Sequence, residues 1–338
     1  MLRVALIGCG RIGKLHAQTI RHSAQATLAC VHDAAQSVAD ELAALCGTRT
    51  AATTDEAIAA SDAVLIASPT DTHADLIEAS VAAGKPVFCE KPIDLDLARV
   101  DQCARKIAAS GVPVQIGFNR RFDPGHRRVR DLYRDGHVGD LYQIIITSRD
   151  PAPPPPEYLA RSGGLFRDMT IHDFDLARFL FDEEPTEVTA IGNALVDPAV
   201  ATATPPDIDT AMILLRTASG RQCHINNCRR ADYGYDQRVE LHGSEGMLIS
   251  GNRRPTEVAH YSRQSTSTAE PYWAFFAERY ADSYQAELEA FFTVIEQGTQ
   301  PEVGFDDGRR ALLLAEAAVQ SMRESRTIDV HELDAGSS

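Results

Sequence analysis

The opening of the chain constrains its fold most strongly. An apolar run, Val4-Ala5-Leu6-Ile7, breaks into Gly8-Cys9-Gly10-Arg11-Ile12-Gly13, and a helical pattern with apolar Ile12, Leu15, Ala17 and Ile20 follows. Strand, G-x-G-x-x-G turn and helix in that order make a dinucleotide site. Gly8 permits the tight turn, Gly10 lets the backbone approach a pyrophosphate, and Gly13 lets the helix pack closely on the strand, with free helix N–H groups aimed at the phosphates. Arg11 and Ile12 lie inside that turn and join the candidate nucleotide contacts. Asp33 ends the next apolar run, Thr27 to His32. It falls about 20 residues after the last glycine, where a ribose contact is expected.

The rest of the first third alternates strand and helix. Strand patterns fall near Arg49–Ala51 and at 63–67, 86–89 and 113–116, with helical patterns near 34–45, 55–60, 72–83 and 95–109. Six strands with helices between them predict a doubly wound parallel α/β sheet, a Rossmann arrangement with its ligands at the carboxyl ends of the strands. Three segments follow such ends. Ser68-Pro69-Thr70-Asp71-Thr72-His73 reads equally as a turn with a helix cap and as a nucleotide contact through Ser68, Thr70 and His73. Glu90-Lys91-Pro92 places a lysine near the nicotinamide, at a strand end whose backbone the proline restricts, and Glu90 and Lys91 join the candidate cofactor contacts. Gly117-Phe118-Asn119-Arg120-Arg121-Phe122-Asp123 closes the alternation.

With 338 residues, two domains are expected, divided as 1–119 and 120–338, with the closing helices free to pack back on the first. The second domain reads as α+β with a largely antiparallel open sheet: strand patterns near 141–149, 187–195, 210–216, 221–228, 237–242 and 247–249, and helices near Leu165–Phe181, Tyr272–Gln297 and Phe305–Glu324. The proline-rich stretch Asp150 to Pro156 is too short for a linker and suits the rim of a cleft. A net charge of −15 argues against nucleic acid and anionic membrane surfaces as partners. No secretory signal and no membrane span are expected. Seven scattered cysteines read as core residues of a reduced compartment, the cytoplasm, and no metal is expected, because Cys223, His224 and Cys228 have no second pair to complete a site.

Asp168 and His172 are the candidates for chemistry. They stand four apart on one helix face, with Asp175 three further on, among apolar Leu165, Phe166, Met169, Ile171, Phe174 and Leu176. A solvated pair is the alternative.

These segments together resemble the Gfo/Idh/MocA oxidoreductases, most closely their inositol 2-dehydrogenase branch. The resemblance rests on Gly8–Gly13, Glu90-Lys91-Pro92, the Gly117–Asp123 segment, Gly163-Gly164 followed by Asp168, His172, Asp173 and Asp175, and Tyr233-Gly234-Tyr235-Asp236. It implies Lys91, Asp168 and His172 as the catalytic set and Asn119, Arg120, Asp150, Asp175 and Tyr235 as further substrate contacts. It also implies a homotetramer. The chemistry expected is oxidation of a ring hydroxyl of a cyclic polyol such as myo- or scyllo-inositol, with hydride passing to NAD and the proton to His172, which titrates near neutrality. An aldose 1-dehydrogenase using the same site, releasing a lactone, and a non-catalytic NAD sensor are the competing readings. NAD is expected over NADP, since Asp33 suits a ribose diol and Ala34-Ala35-Gln36 carry no cation for a 2′-phosphate.

Overall fold

The computed structural model describes residues 1–334. Residues Met1–Phe122 with Asp282–Leu312 form one compact unit, and Asp123–Ala281 with residues 313–334 form a second.

The first unit begins β1 (Leu2–Ile7), α1 (Arg11–His22), β2 (Ala26–His32), α2 (Gln36–Cys46), α3 (Thr54–Ala59), β3 (Ala63–Ile66), α4 (His73–Ala82), β4 (Val87–Glu90), α5 (Leu97–Ile107) and β5 (Val114–Gly117). The strands lie in the order β2-β1-β3-β4-β5 and every neighbouring pair is parallel. Every residue of β3 and β4 is buried, as a sheet covered on both faces requires. The sheet has five strands where the sequence predicts six. Residues 49–51 lie between the left-handed Gly47 that ends α2 and the Thr53 cap of α3, and they manage only one bridge, Thr50 to Val31. Chain order reverses between β1 and β3, so the crevice beyond their carboxyl ends is the topological switch point where ligands bind.

The second unit contains α6 (Pro124–Arg134), β6 (Leu141–Arg149), a helical turn α7 (Pro156–Leu159), α8 (Ile171–Phe181), β7 (Pro185–Asn193), β8 (Thr210–Thr217), β9 (Gln222–Cys228), β10 (Asp236–Gly243), β11 (Gly246–Ser250), a small hairpin β12 (Ala259–His260) and β13 (Thr268–Ala269), and α9 (Phe276–Arg279). The chain continues through α10 (Ala281–Gln297), α11 (Phe305–Glu324), β14 (Ile328–Asp329) and α12 (His331–Asp334). The sheet order is β11-β10-β6-β9-β8-β7-β14, antiparallel except for the parallel pair β6 and β9. Strand β8 alternates buried and exposed residues along most of its length, so one face of the sheet makes a core with α8. The helix predicted from Tyr272 starts later. Trp273 accepts a hydrogen bond from Tyr235 N at 2.8 Å and Tyr272 N donates to Tyr233 O at 3.2 Å, so this segment stays extended and the helix begins only at Phe276. No helix among the described residues is long and apolar enough to cross a membrane.

Asp123 anchors the start of the second unit. Its carboxylate accepts from Gly125 N and His126 N, capping α6, and takes Nη1 of Arg279 at 2.6 Å, with both charged side chains 1% exposed. Burial works against that charge, but His126 and Arg279 outweigh it and hold the carboxyl below its ordinary pKa. Asp123→Asn is therefore expected to leave a buried guanidinium uncompensated and to cost about 3–5 kcal/mol, read as a lowered midpoint in urea unfolding; an unchanged midpoint would contradict this.

Candidate active site

The glycines of the first turn each meet a different demand. Gly8 has φ +99°, and a Cβ on it would stand 2.4 Å from Ala67 C and Ser68 N, across the switch point. A Cβ on Gly13 would stand 2.0 Å from Gly8 O, so the helix can lie on the strand only without one. On Gly10 it would meet nothing within 4 Å, leaving an open cradle for a phosphate group. Gly10 is also the N-cap of α1, which has no side-chain cap and no acidic residue in its first turn. Arg11 and Ile12 begin the helix here. An uncapped helix start with positive partial charge fits a pyrophosphate.

Asp33 follows β2, and its carboxylate accepts from Cys9 N at 2.8 Å and Ala35 N at 2.9 Å. These bonds fix its orientation, and the carboxylate has lone pairs beyond them for a ribose diol. The residues present therefore fit a dinucleotide whose ribose carries no 2′-phosphate.

Ser68 Oγ pairs with Thr72 Oγ1 at 2.6 Å, and Thr70 opens the short turn Thr70–Thr72. His73, expected at the nucleotide, is fully buried instead: its ring nitrogens lie 2.8 Å from Pro92 O and 2.8 Å from Ser68 O. The ring thus ties the turn after β3 to the turn after β4. Burial lowers the pKa of this imidazole, with the two carbonyls pulling the other way. Glu90 likewise turns its carboxylate inward, to His16 Nε2 at 2.6 Å. Lys91 follows directly and is half-buried, joined to Pro92 by a cis peptide bond. Asn119 and Arg120 lie in the buried turn Asn119–Phe122, and Asn119 Nδ2 has no hydrogen-bond partner.

In the second unit the expected helix Leu165–Phe181 contains a wide π-turn, Phe166–Thr170, ahead of α8. Such turns insert an extra residue and concentrate at functional sites. Asp207 Oδ1 accepts from Leu165 N at 2.9 Å at the helix start, and Gly164, with φ +87°, leaves it room. Asp168 lies within the π-turn. Its Oδ1 accepts from Tyr158 Oη at 2.7 Å and its Oδ2 from Arg229 Nη2 at 3.2 Å. Arg229 is 1% exposed, and its Nη1 stands 3.9 Å from Asp150. Desolvation of its hydroxyl end, then the Asp168 charge, raises the Tyr158 phenol above its ordinary pKa, so it donates to Asp168. His172 is the one residue of α8 that is not fully buried. That pattern rules out the solvated face the sequence left open. Asp173 is wholly buried and accepts from Asn227 Nδ2 at 2.8 Å, and Asn227 Oδ1 accepts from Thr170 Oγ1 at 2.6 Å, pinning the turn to β9.

Asp175 is buried, with Arg178 Nη1 at 3.6 Å. Tyr235 is buried edge-on against Tyr280, with ring centroids 6.1 Å apart. Tyr158 and Arg229 are missing from the sequence-derived set. One lies in the proline-rich stretch and the other just past a strand, and neither has a spacing that ties it to Asp168.

Residues 2–118 match the oxidoreductase family with the NAD-binding Rossmann fold, and residues 126–249 match the GFO/IDH/MocA C-terminal domain. An inositol 2-dehydrogenase of Rhizobium meliloti is 47% identical over 331 residues, covering 97% of this chain and 99% of that one. A myo-inositol dehydrogenase structure from Corynebacterium glutamicum superposes with a TM-score of 0.93 at 43% identity, covering 97% and 98%. A scyllo-inositol dehydrogenase from Lactobacillus casei with bound NAD(H) and scyllo-inositol gives 0.90 at 29% identity, covering 98% of each chain. The uncapped glycine turn, the Asp33 carboxylate and the buried Asp168 turn thus sit in a chain that belongs to the GFO/IDH/MocA oxidoreductases and uses NAD.

Proposed function

We propose that the protein oxidises a ring hydroxyl of inositol to the corresponding ketone, with His172 as general base. The observation that carries this reading is His172 itself, the one incompletely buried residue of α8, four positions after an Asp168 held by two donors. The relatives named inositol 2-dehydrogenase supply the substrate class. NAD, when bound, accepts the hydride from the reacting carbon. His172 takes the hydroxyl proton on a ring nitrogen, so the C–H and O–H bonds break and a C=O bond forms. Asp168, held by Tyr158 and Arg229, supplies a carboxylate that stabilises the imidazolium. Lys91 supplies a cation for developing alkoxide character, and Asn119, Arg120, Asp150, Asp175 and Tyr235 supply polar contacts to the ring hydroxyls. The free cysteines suit a reducing compartment, the cytoplasm, as the place of the reaction.

His172→Ala and His172→Gln are expected to lower kcat by about 10²–10⁴-fold with NAD affinity retained, measured as NADH formation with inositol. Near wild-type turnover in both would rule out the base assignment. Chromatography of the product is expected to show an inosose; an aldonic acid formed from glucose at a higher rate would favour anomeric chemistry.

Asp33 makes NADP the poorer substrate. Asp33→Ser is expected to raise the NADP-to-NAD ratio of kcat/KM at least about tenfold by removing repulsion of a 2′-phosphate. A ratio unmoved by the substitution would show that Asp33 does not select.

We also propose a homotetramer built on the outer face of the second sheet. Ile191 pairs with Met212, Leu214 with His224, His224 with Ile145, and Glu240 with both Ile145 and Ile249, so one face carries exposed Ile191, Met212, Leu214, Ile145 and Ile249. Contiguous exposed apolar surface of this kind marks a contact with another protein surface. Light scattering is expected to give four chains for the protein and fewer for Leu214→Asp; a monomeric wild-type chain would contradict the assignment.

A further inference from the structure

The first unit buries three ionisable side chains together, from α1, β4 and α10. His16 and Glu287 are 0% exposed and Glu90 is 8% exposed. Potential ligand atoms of the three lie within 4.8 Å of one another. His16 Nε2 contacts Glu90 Oε1 at 2.6 Å, whereas neither carboxyl oxygen of Glu287 has a hydrogen-bond partner. Phe88 and Tyr284 set ring edges against the His16 imidazole, with centroids 5.3 and 5.7 Å away, keeping the place apolar. The backbone holds Glu287 there, since Gln115 Nε2 donates to its carbonyl at 2.8 Å. Gly117 makes the room: a Cβ on it would stand 3.1–3.3 Å from the Glu90 carboxylate.

Two carboxylates in so dry a space cannot both be charged. Glu90 has the histidine as a hydrogen-bond partner. Glu287 has none, and an ionised form there would carry the whole cost of burial. We propose that His16, Glu90 and Glu287 form a buried triad in which Glu287 holds a proton as a neutral acid and the His16–Glu90 pair positions Lys91. The pair joins the helix that opens at the dinucleotide turn to the last residue of the strand leading into Lys91. These are positioning residues; none is proposed to touch substrate. Burial, reinforced by the Glu90 charge, pushes the Glu287 carboxyl well above the ordinary carboxylate range. His16 on α1 and Glu90 on β4 face it, and Tyr284 on α10 sets its ring against His16.

Above the ordinary carboxylate pKa the unfolded chain releases the Glu287 proton while the folded chain keeps it, so this group favours unfolding increasingly as pH rises toward the folded value. The stability arm of the test compares the protein with Glu287→Gln, a neutral isostere, in thermal unfolding at about pH 5 and about pH 8. The variant is expected to gain stability relative to the wild type on going from the lower to the higher pH. A variant destabilised equally at both would overturn the neutral-acid assignment. One equivalent of divalent metal in the purified protein, lost in Glu287→Gln, would also overturn it and make the triad a metal site.

The kinetic arm rests on the reading of Lys91 as a catalytic cation. Glu90→Gln is expected to lower kcat by about 10–100-fold, with KM for NAD within about twofold, because small misplacements at the reacting centre carry losses of that size. His16→Ala is expected to do the same, and His16→Gln, whose amide can still donate to Glu90, to restore most of the rate. Full kcat in both Glu90→Gln and His16→Ala would end the positioning claim and leave the proposed function standing. Absence of polyol oxidation by the wild type, with the stability arm fulfilled, would end the proposed function and leave the neutral acid standing.

Discussion

The crossing of the chain at Gly8 is the constraint on which the first unit depends. The turn after β1 passes the turn after β3 so closely that a single methyl group would lie 2.4 Å from the backbone of Ala67 and Ser68. Helix α1 presses on the same turn from the other side, where a methyl on Gly13 would lie 2.0 Å from Gly8 O. Because both approaches are made by bare backbone, the start of α1 stands uncapped at the switch point, and a phosphate can take the place of the missing cap.

Buried charge organises the second unit in a different manner. Asp123 with Arg279 and Asp168 with Arg229 are pairs in which the guanidinium is almost wholly enclosed. Such pairs add little net stability over apolar packing, but removing one partner is costly, so each effectively locks one geometry. The first lock fixes the entry into α6. The second holds the Asp168 carboxylate, together with the Tyr158 phenol that donates to it, one turn ahead of His172.

Much of this was legible in the sequence, for physical reasons that differ from residue to residue. Gly8, Gly10 and Gly13 are readable because their roles depend on having no side chain at fixed offsets, and Asp33 because it ends a strand at a known distance. Asp168 and His172 are readable from helical spacing. Tyr158 and Arg229 were not, since their partnership with Asp168 spans 10 and 61 positions and depends on how the π-turn and β9 meet. The same holds for His16 and Glu287, which have no shared period with Glu90. His73 shows the limit in reverse: its place after a strand suggests a ligand contact, yet both ring nitrogens serve the two turns beside it. The extra strand expected at residues 49–51 failed because the segment is confined between a helix end and a helix cap.

The proposed oxidation of an inositol ring hydroxyl by NAD is tested most directly by the initial rate of NADH formation by the purified wild-type protein across myo-inositol, scyllo-inositol and D-glucose. One of the two inositols is expected to give the highest kcat/KM. No NADH formation with either inositol, or a higher kcat/KM for glucose, would contradict it.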